Sequence, residues 1–107
     1  MSNNTQTQLL TPEKIRKILR ELLPKIKTQY QIKQLGLFGS YVRGEATENS
    51  DIDILVEFYP NINFGLITYC RLENQLSETL GKKVDLVTKD GLKPHFGANI
   101  LKEVIYL

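Results

Sequence analysis

Gly39-Ser40 is followed, after ten intervening residues, by Asp51-Ile52-Asp53, and a third aspartate, Asp85, interrupts the apolar run "KVDLVT" at 83–88. A glycine at a strand end lets the backbone approach a ligand closely and take a positive φ. Ser40 adds a hydroxyl, and a helical turn beginning there would aim its free N–H groups at the same spot, a site suited to phosphate. Arg43, one turn further on, could add a fixed positive charge. Asp51 and Asp53 share one face of a strand, with Cα atoms roughly 6.5–7 Å apart. Two carboxylates that close can converge on one hard cation. Mg²⁺ fits, because it takes one or two carboxylates and completes its shell with water and substrate phosphates. Asp85 would supply a third oxygen ligand or a base. A phosphate cradle beside a carboxylate-held Mg²⁺ is the apparatus of phosphoryl or nucleotidyl transfer.

Each piece also has a plainer reading. Ser40 could cap a helix, and Gly39 could turn the chain. The aspartates resist that reading more. Aspartate disfavours strands, like charges on one face repel, and a carboxylate buried in a run such as "VDLV" is costly unless compensated. The three together argue against accident.

The elements that must position these groups follow from the hydrophobic pattern. Thr11, Pro12 and Glu13 read as an N-cap, a first-turn proline and a first-turn acid. Ile15, Ile18, Leu19, Leu22 and Leu23 recur at helical spacing. Pro24 is expected to end or kink that helix and to start a short second one carrying Ile26 and Tyr30. "IKQLGLF" at 32–38 reads as a first strand. Residues 51–58 read as a second, with Ile52, Ile54, Val56 and Phe58 toward a core and Asp51, Asp53, Leu55 and Glu57 on the opposite face. From about 61 to 80, Ile62, Leu66, Tyr69, Leu72, Leu76 and Leu80 form a helical stripe closed by Gly81. Residues 83–88 make a third strand and "KDG" at 89–91 a turn. His95 is expected in a loop, a helix around Asn99–Lys102 follows, and "EVIYL" continues that helix or forms a terminal strand. The fold class is α+β (α/β): a small mixed sheet flanked by helices.

The chain of 107 residues accommodates one domain, expected over 11–107 behind a flexible lead at 1–10. Its 41% hydrophobic and 24% charged residues are an ordinary globular balance. A formal charge of +2 argues against direct nucleic-acid binding by bulk electrostatics. "KIRKILR" at 14–20 reads as a solvated helix face. No apolar run approaches the roughly 20 residues of a membrane span, and the N-terminus lacks the order of a signal peptide. Cys70 is the only cysteine, which excludes an internal disulfide and fits a reducing cytoplasm. Cys70 reads as a core or boundary residue, and Tyr41 as the one tyrosine placed to touch a nucleotide.

The stretch "LGLFGSYVRGEATENSDIDILVEF", continued by "KVDLV", resembles the signature of the DNA polymerase β-like nucleotidyltransferase superfamily. It is most similar to the minimal nucleotidyltransferases (MNT), the antitoxin partners of HEPN-domain toxins. The resemblance implies the minimal nucleotidyltransferase fold, with Gly39 and Ser40 holding the triphosphate and Arg43 beside them. It implies Asp51 and Asp53 as Mg²⁺ ligands, with Asp85 completing the metal site and helping to deprotonate the acceptor hydroxyl. It further implies transfer of AMP from ATP to a tyrosine of a cognate HEPN toxin, held in a hetero-oligomer, which silences the toxin. The motif is complete, which favours a live enzyme over a degenerate one.

Length bears on the acceptor independently. Larger superfamily members devote a further domain to recognising an antibiotic or an RNA, and 107 residues leave none. The acceptor is therefore expected to bring its own recognition surface, as a protein does, and small-molecule adenylylation is disfavoured. The competing expectation is a non-catalytic antitoxin that neutralises the toxin by binding alone.

Overall fold

Thr11 keeps an extended backbone while its hydroxyl accepts the Lys14 N–H at 3.1 Å, so helix α1 (Pro12–Tyr30) starts where the capping pattern places it. The computed structural model describes residues 10–60, 65–91 and 94–107, with the backbone alone for 94–96. The expected lead at 1–10 therefore lies outside the described residues except for Leu10, which packs against the core. Ile15, Leu19, Leu23, Ile26 and Tyr30 form the buried stripe of α1. Pro24 neither ends nor splits this helix. Its ring is exposed, and the buried stripe continues in register on both sides of it. A proline inside a helix costs about 3 kcal/mol, whereas burying Ile26 and Tyr30 against the sheet returns roughly 1.5–3 kcal/mol for each side chain.

Among the described residues, four strands form one mixed sheet: β1 (Ile32–Phe38), β2 (Ile52–Phe58), β3 (Val84–Thr88) and β4 (Ile105–Tyr106), in the order β3-β2-β1-β4. β1 runs antiparallel to β2 and to β4, and β2 runs parallel to β3. The parallel pair needs a crossover, supplied by helix α3 (Leu66–Leu80). The short helix α2 (Ser40–Arg43) occupies the turn after β1, and α4 (Pro94–Glu103) precedes β4. "EVIYL" is thus the end of a helix followed by a terminal strand, and His95 belongs to α4 rather than to a loop.

The sheet is two-sided in the way the strand alternation requires. Leu35, Leu37, Ile52, Ile54, Val56, Val84 and Leu86 pack on α1 and α3. Phe38, Asp53 and Asp85 occupy aligned positions across the other face, since Asp53 is the register partner of both. Gly36 belongs to this second face as well. A Cβ there would lie 2.5 Å from Val104 Cγ2 and 3.2 Å from Tyr106 Cδ1, so its absence lets the C-terminal segment lie against the sheet.

α3 does two jobs. Leu72, Leu76 and Leu80 are buried, and Gly81 closes the helix in the left-handed conformation with its N–H on Ser77 O. The stripe does not extend to the first turn: Leu66 is 76% exposed, and Ile62 lies outside the described residues. Residues one turn apart on the same helix cover the outer edge of β3. Ser77 Oγ accepts the Val84 N–H at 3.0 Å, Glu73 Oε2 accepts the Leu86 N–H at 2.9 Å, and Tyr69 Oη donates to Leu86 O. An otherwise unpaired strand edge is thereby satisfied by a helix, which fixes the strand that carries Asp85. Removing the carboxylate in Glu73→Ala leaves the part-buried Leu86 N–H without its charged acceptor and should cost about 1–2 kcal/mol, lowering Tm by roughly 5 °C or more. Thermal melts of this variant beside Glu78→Ala, an exposed neighbour, check it; equal melting of the two would contradict the edge-covering role.

Candidate active site

β1 ends at Phe38, and the chain turns through Gly39 at φ +83°, ψ −153°, a region that side chains disfavour. A Cβ at Gly39 would lie 2.8 Å from Asp53 Cγ and would overlap the Asp53 carboxylate. The glycine is therefore required by the aspartate as well as by the turn. Ser40 opens α2 immediately afterwards. Val42 and Arg43 both donate their N–H groups to Gly39 O, at 3.0 and 3.1 Å.

Asp53 is half-buried, and its carboxyl is pushed up to about 6 from the ordinary 3.8. Burial is the largest cause, followed by the charges of Asp85 and Asp51; Arg43 opposes the shift and Glu103 adds to it. Asp85 is exposed. The run around it alternates, with Val84 and Leu86 toward the core and Asp85 on the open face, so the expected burial does not occur and no compensating partner is needed. Asp51 is exposed just ahead of β2, with Lys83 Nζ at 3.8 Å from Oδ2. Asp53 and Asp85 are thus brought side by side, with Asp51 at their edge.

Arg43 points to the same place but is engaged. Its Nε donates to Glu45 Oε1 at 2.8 Å, and its Nη1 donates to Glu103 at 3.1 and 3.2 Å. Glu103 Oε2 also accepts the Gly39 N–H at 2.7 Å. Glu103 and Asn99, one turn apart on α4, line a pocket of about 240 Å³ with Gly39, Arg43 and Asp53. A larger groove of about 720 Å³ between α1 and α3 includes Leu66, Ile67 and Cys70 but none of Asp51, Asp53, Asp85 and Glu103. Cys70 is exposed there rather than in the core. Tyr41 is 2% exposed within the core, where burial raises its phenol, so it does not face the pocket.

Glu103 is the site residue that sequence reasoning missed. It stands 64 positions from Gly39, in no recognised spacing. Its one anomaly in the sequence is an acid in the last turn of a helix, where the macrodipole disfavours negative charge.

Among the described residues, no three acidic, histidine or cysteine side chains are spaced as a ready-made metal cage. Mg²⁺ does not require one, since water and phosphate oxygens complete its shell. The donor set fits such an ion: hard carboxylate oxygens only, crowded enough that ionising Asp53 is resisted by its acidic neighbours.

The nucleotidyltransferase domain model matches residues 13–107. The chain is 41% identical over 99 residues to the protein adenylyltransferase MntA of Thermococcus cleftensis, covering 92% of this chain and 98% of that one. It superposes on a solved toxin-antitoxin chain with AMP-PNP at a TM-score of 0.64 and 30% identity, covering 91% of this chain and 72% of the other. It also superposes on a chain from the complex of tri-AMPylated Shewanella oneidensis HEPN toxin with MNT antitoxin, at a TM-score of 0.55 and 26% identity, covering 88% and 66%.

The raised carboxyl of Asp53 makes a signed prediction for the protein without divalent cations. The folded chain holds this proton more tightly than the unfolded chain, so the contribution is favourable at low pH and is lost as pH rises from about 4 through about 6. Asp53→Asn cannot ionise. Melting curves should show the variant gaining on the parent across that window, with a constant difference below it; a parent that gains on the variant as pH rises would contradict the assignment.

Proposed function

The chain belongs to the nucleotidyltransferase domain family, and we propose that it is an antitoxin enzyme that transfers AMP from ATP to a tyrosine hydroxyl of a cognate HEPN toxin. The observation that carries this reading is the contact of Asp53 with Gly39, which sets a carboxylate directly against the turn that would hold the phosphates. The named activity of the relative, the AMP-PNP in one neighbour and the AMPylated toxin in another support it. The span 11–107 acts as one catalytic domain, in the cytoplasm.

Each group then has a role. The Gly39 N–H, the Ser40 hydroxyl and the Arg43 guanidinium bind the triphosphate and orient it. Asp51, Asp53 and Asp85 would hold Mg²⁺, which when bound neutralises phosphate charge and makes the α-phosphorus more electrophilic. Asp85, exposed on the open face, is accessible to a protein acceptor and takes the proton of the tyrosine hydroxyl. The tyrosine oxygen forms the bond to the α-phosphorus, and the bond to the β-phosphate breaks. Pyrophosphate leaves.

Incubation with the toxin and ATP labelled in its α-phosphate tests the reading. Asp51→Asn and Asp53→Asn should abolish transfer with the fold retained. Asp85→Asn should lower it by roughly 10²–10⁴-fold, the usual range for a lost general base. Its Tm should not fall, because Asp85 is exposed and its charge repels that of Asp53. Raising the pH toward the tyrosine's own pKa, near 10, should partly restore that variant. Toxin neutralised with no label transferred would replace this reading with the binding-only antitoxin.

A further inference from the structure

The pocket beside Asp53 already contains an anion, and the chain itself supplies it. The Glu103 carboxylate accepts the Gly39 N–H at 2.7 Å and the Arg43 Nη1–H at 3.1 and 3.2 Å. These are two of the three donors assigned above to the triphosphate. One set of N–H groups cannot serve a carboxylate and a phosphate at once.

Three features make this contact more than a surface ion pair. The bond to Gly39 is short and is made to a backbone N–H in the turn that lies directly against Asp53. Glu103 is also placed against its local preference, in the last turn of α4 where the helix dipole repels it, and the Gly39 N–H and the Arg43 guanidinium offset that cost. Finally, it is tethered on both sides. The Val104 N–H bonds Ile100 O at 2.9 Å, and β4 pairs with β1 through Ile105 and Tyr106, which presents the carboxylate to Gly39 at high effective concentration.

We propose that Glu103 is a built-in phosphate surrogate: it occupies the phosphate subsite in the resting protein, competes with the triphosphate for Gly39 and Arg43, and thereby sets the nucleotide affinity. Entry of the triphosphate displaces the carboxylate into solvent and frees Arg43 Nη1 for a phosphate oxygen. The resting site stays satisfied because the internal anion offsets Arg43 and caps the Gly39 N–H. A polyphosphate, with more charge and more acceptor oxygens, wins the exchange. A ligand without phosphates does not compete for these donors.

The proposal rests on the phosphate subsite assigned above, and calorimetry with three probes separates the two. Glu103→Gln keeps the size and one acceptor but removes the charge; Glu103→Asp keeps the charge and shortens the reach. Both should bind inorganic tripolyphosphate and ATP more tightly than the parent, by roughly 3–30-fold, the scale of one partly exposed charge-assisted hydrogen-bond set. Adenosine should bind all three proteins alike. A merely structural Glu103 would show the opposite, with weaker polyphosphate binding in step with any loss of Tm. Unchanged or weaker tripolyphosphate binding in both variants, with AMP transfer intact, would overturn the surrogate and leave the enzyme reading standing. Failure of every protein, parent included, to bind tripolyphosphate or ATP would overturn the phosphate subsite, and the surrogate with it.

Discussion

The contact between Asp53 and Gly39 is the constraint on which the site depends. A carboxylate can lie against the backbone there only because residue 39 has no Cβ, and the backbone can take φ +83° there for the same reason. One missing methyl thus lets the Gly39 turn and the strand that carries Asp53 lie against each other. It also half-buries Asp53, so that its ionisation is resisted until a positive charge arrives.

The rest of the molecule holds that contact in place. Antiparallel β1 and β2 set Phe38 opposite Asp53, and parallel β3 sets Asp85 on its other side. The isoleucine and leucine face of those strands is anchored on α1 and α3, which leaves the aspartates on the more open side. α3 also satisfies the outer edge of β3 through Ser77, Glu73 and Tyr69, so the strand carrying Asp85 is fixed without a further strand. The C-terminal segment closes over Gly36 and delivers Glu103 to the turn. The aspartates and the packed core therefore take opposite faces of one sheet.

Much of this was legible in the residues. Period-two alternation placed Asp53 opposite the isoleucines, and Thr11 and Gly81 marked helix ends through capping chemistry that is local. What could not be read was non-local. Pro24 breaks an isolated helix, but the buried stripe either side of it overrides that tendency. Asp85 looked buried because an apolar run hides which face each residue takes until the sheet has two unlike sides. Tyr41 looked accessible because it adjoins the turn, yet the single helical turn of α2 rotates it into the core. Glu103 reaches Gly39 only because β4 brings the chain's end back to β1, a pairing that leaves no local trace in two residues.

Gly39→Ala probes the Asp53–Gly39 contact itself, with AMP transfer to the toxin and circular dichroism measured on the same sample. The added methyl must displace the Asp53 carboxylate while leaving the α1, α3 and sheet packing untouched. The account predicts a folded protein, with secondary structure like the parent's and a lowered Tm, that transfers little or no label. A Gly39→Ala protein that transfers AMP at the parent's rate would contradict it, since the carboxylate would then not need the space that the glycine leaves.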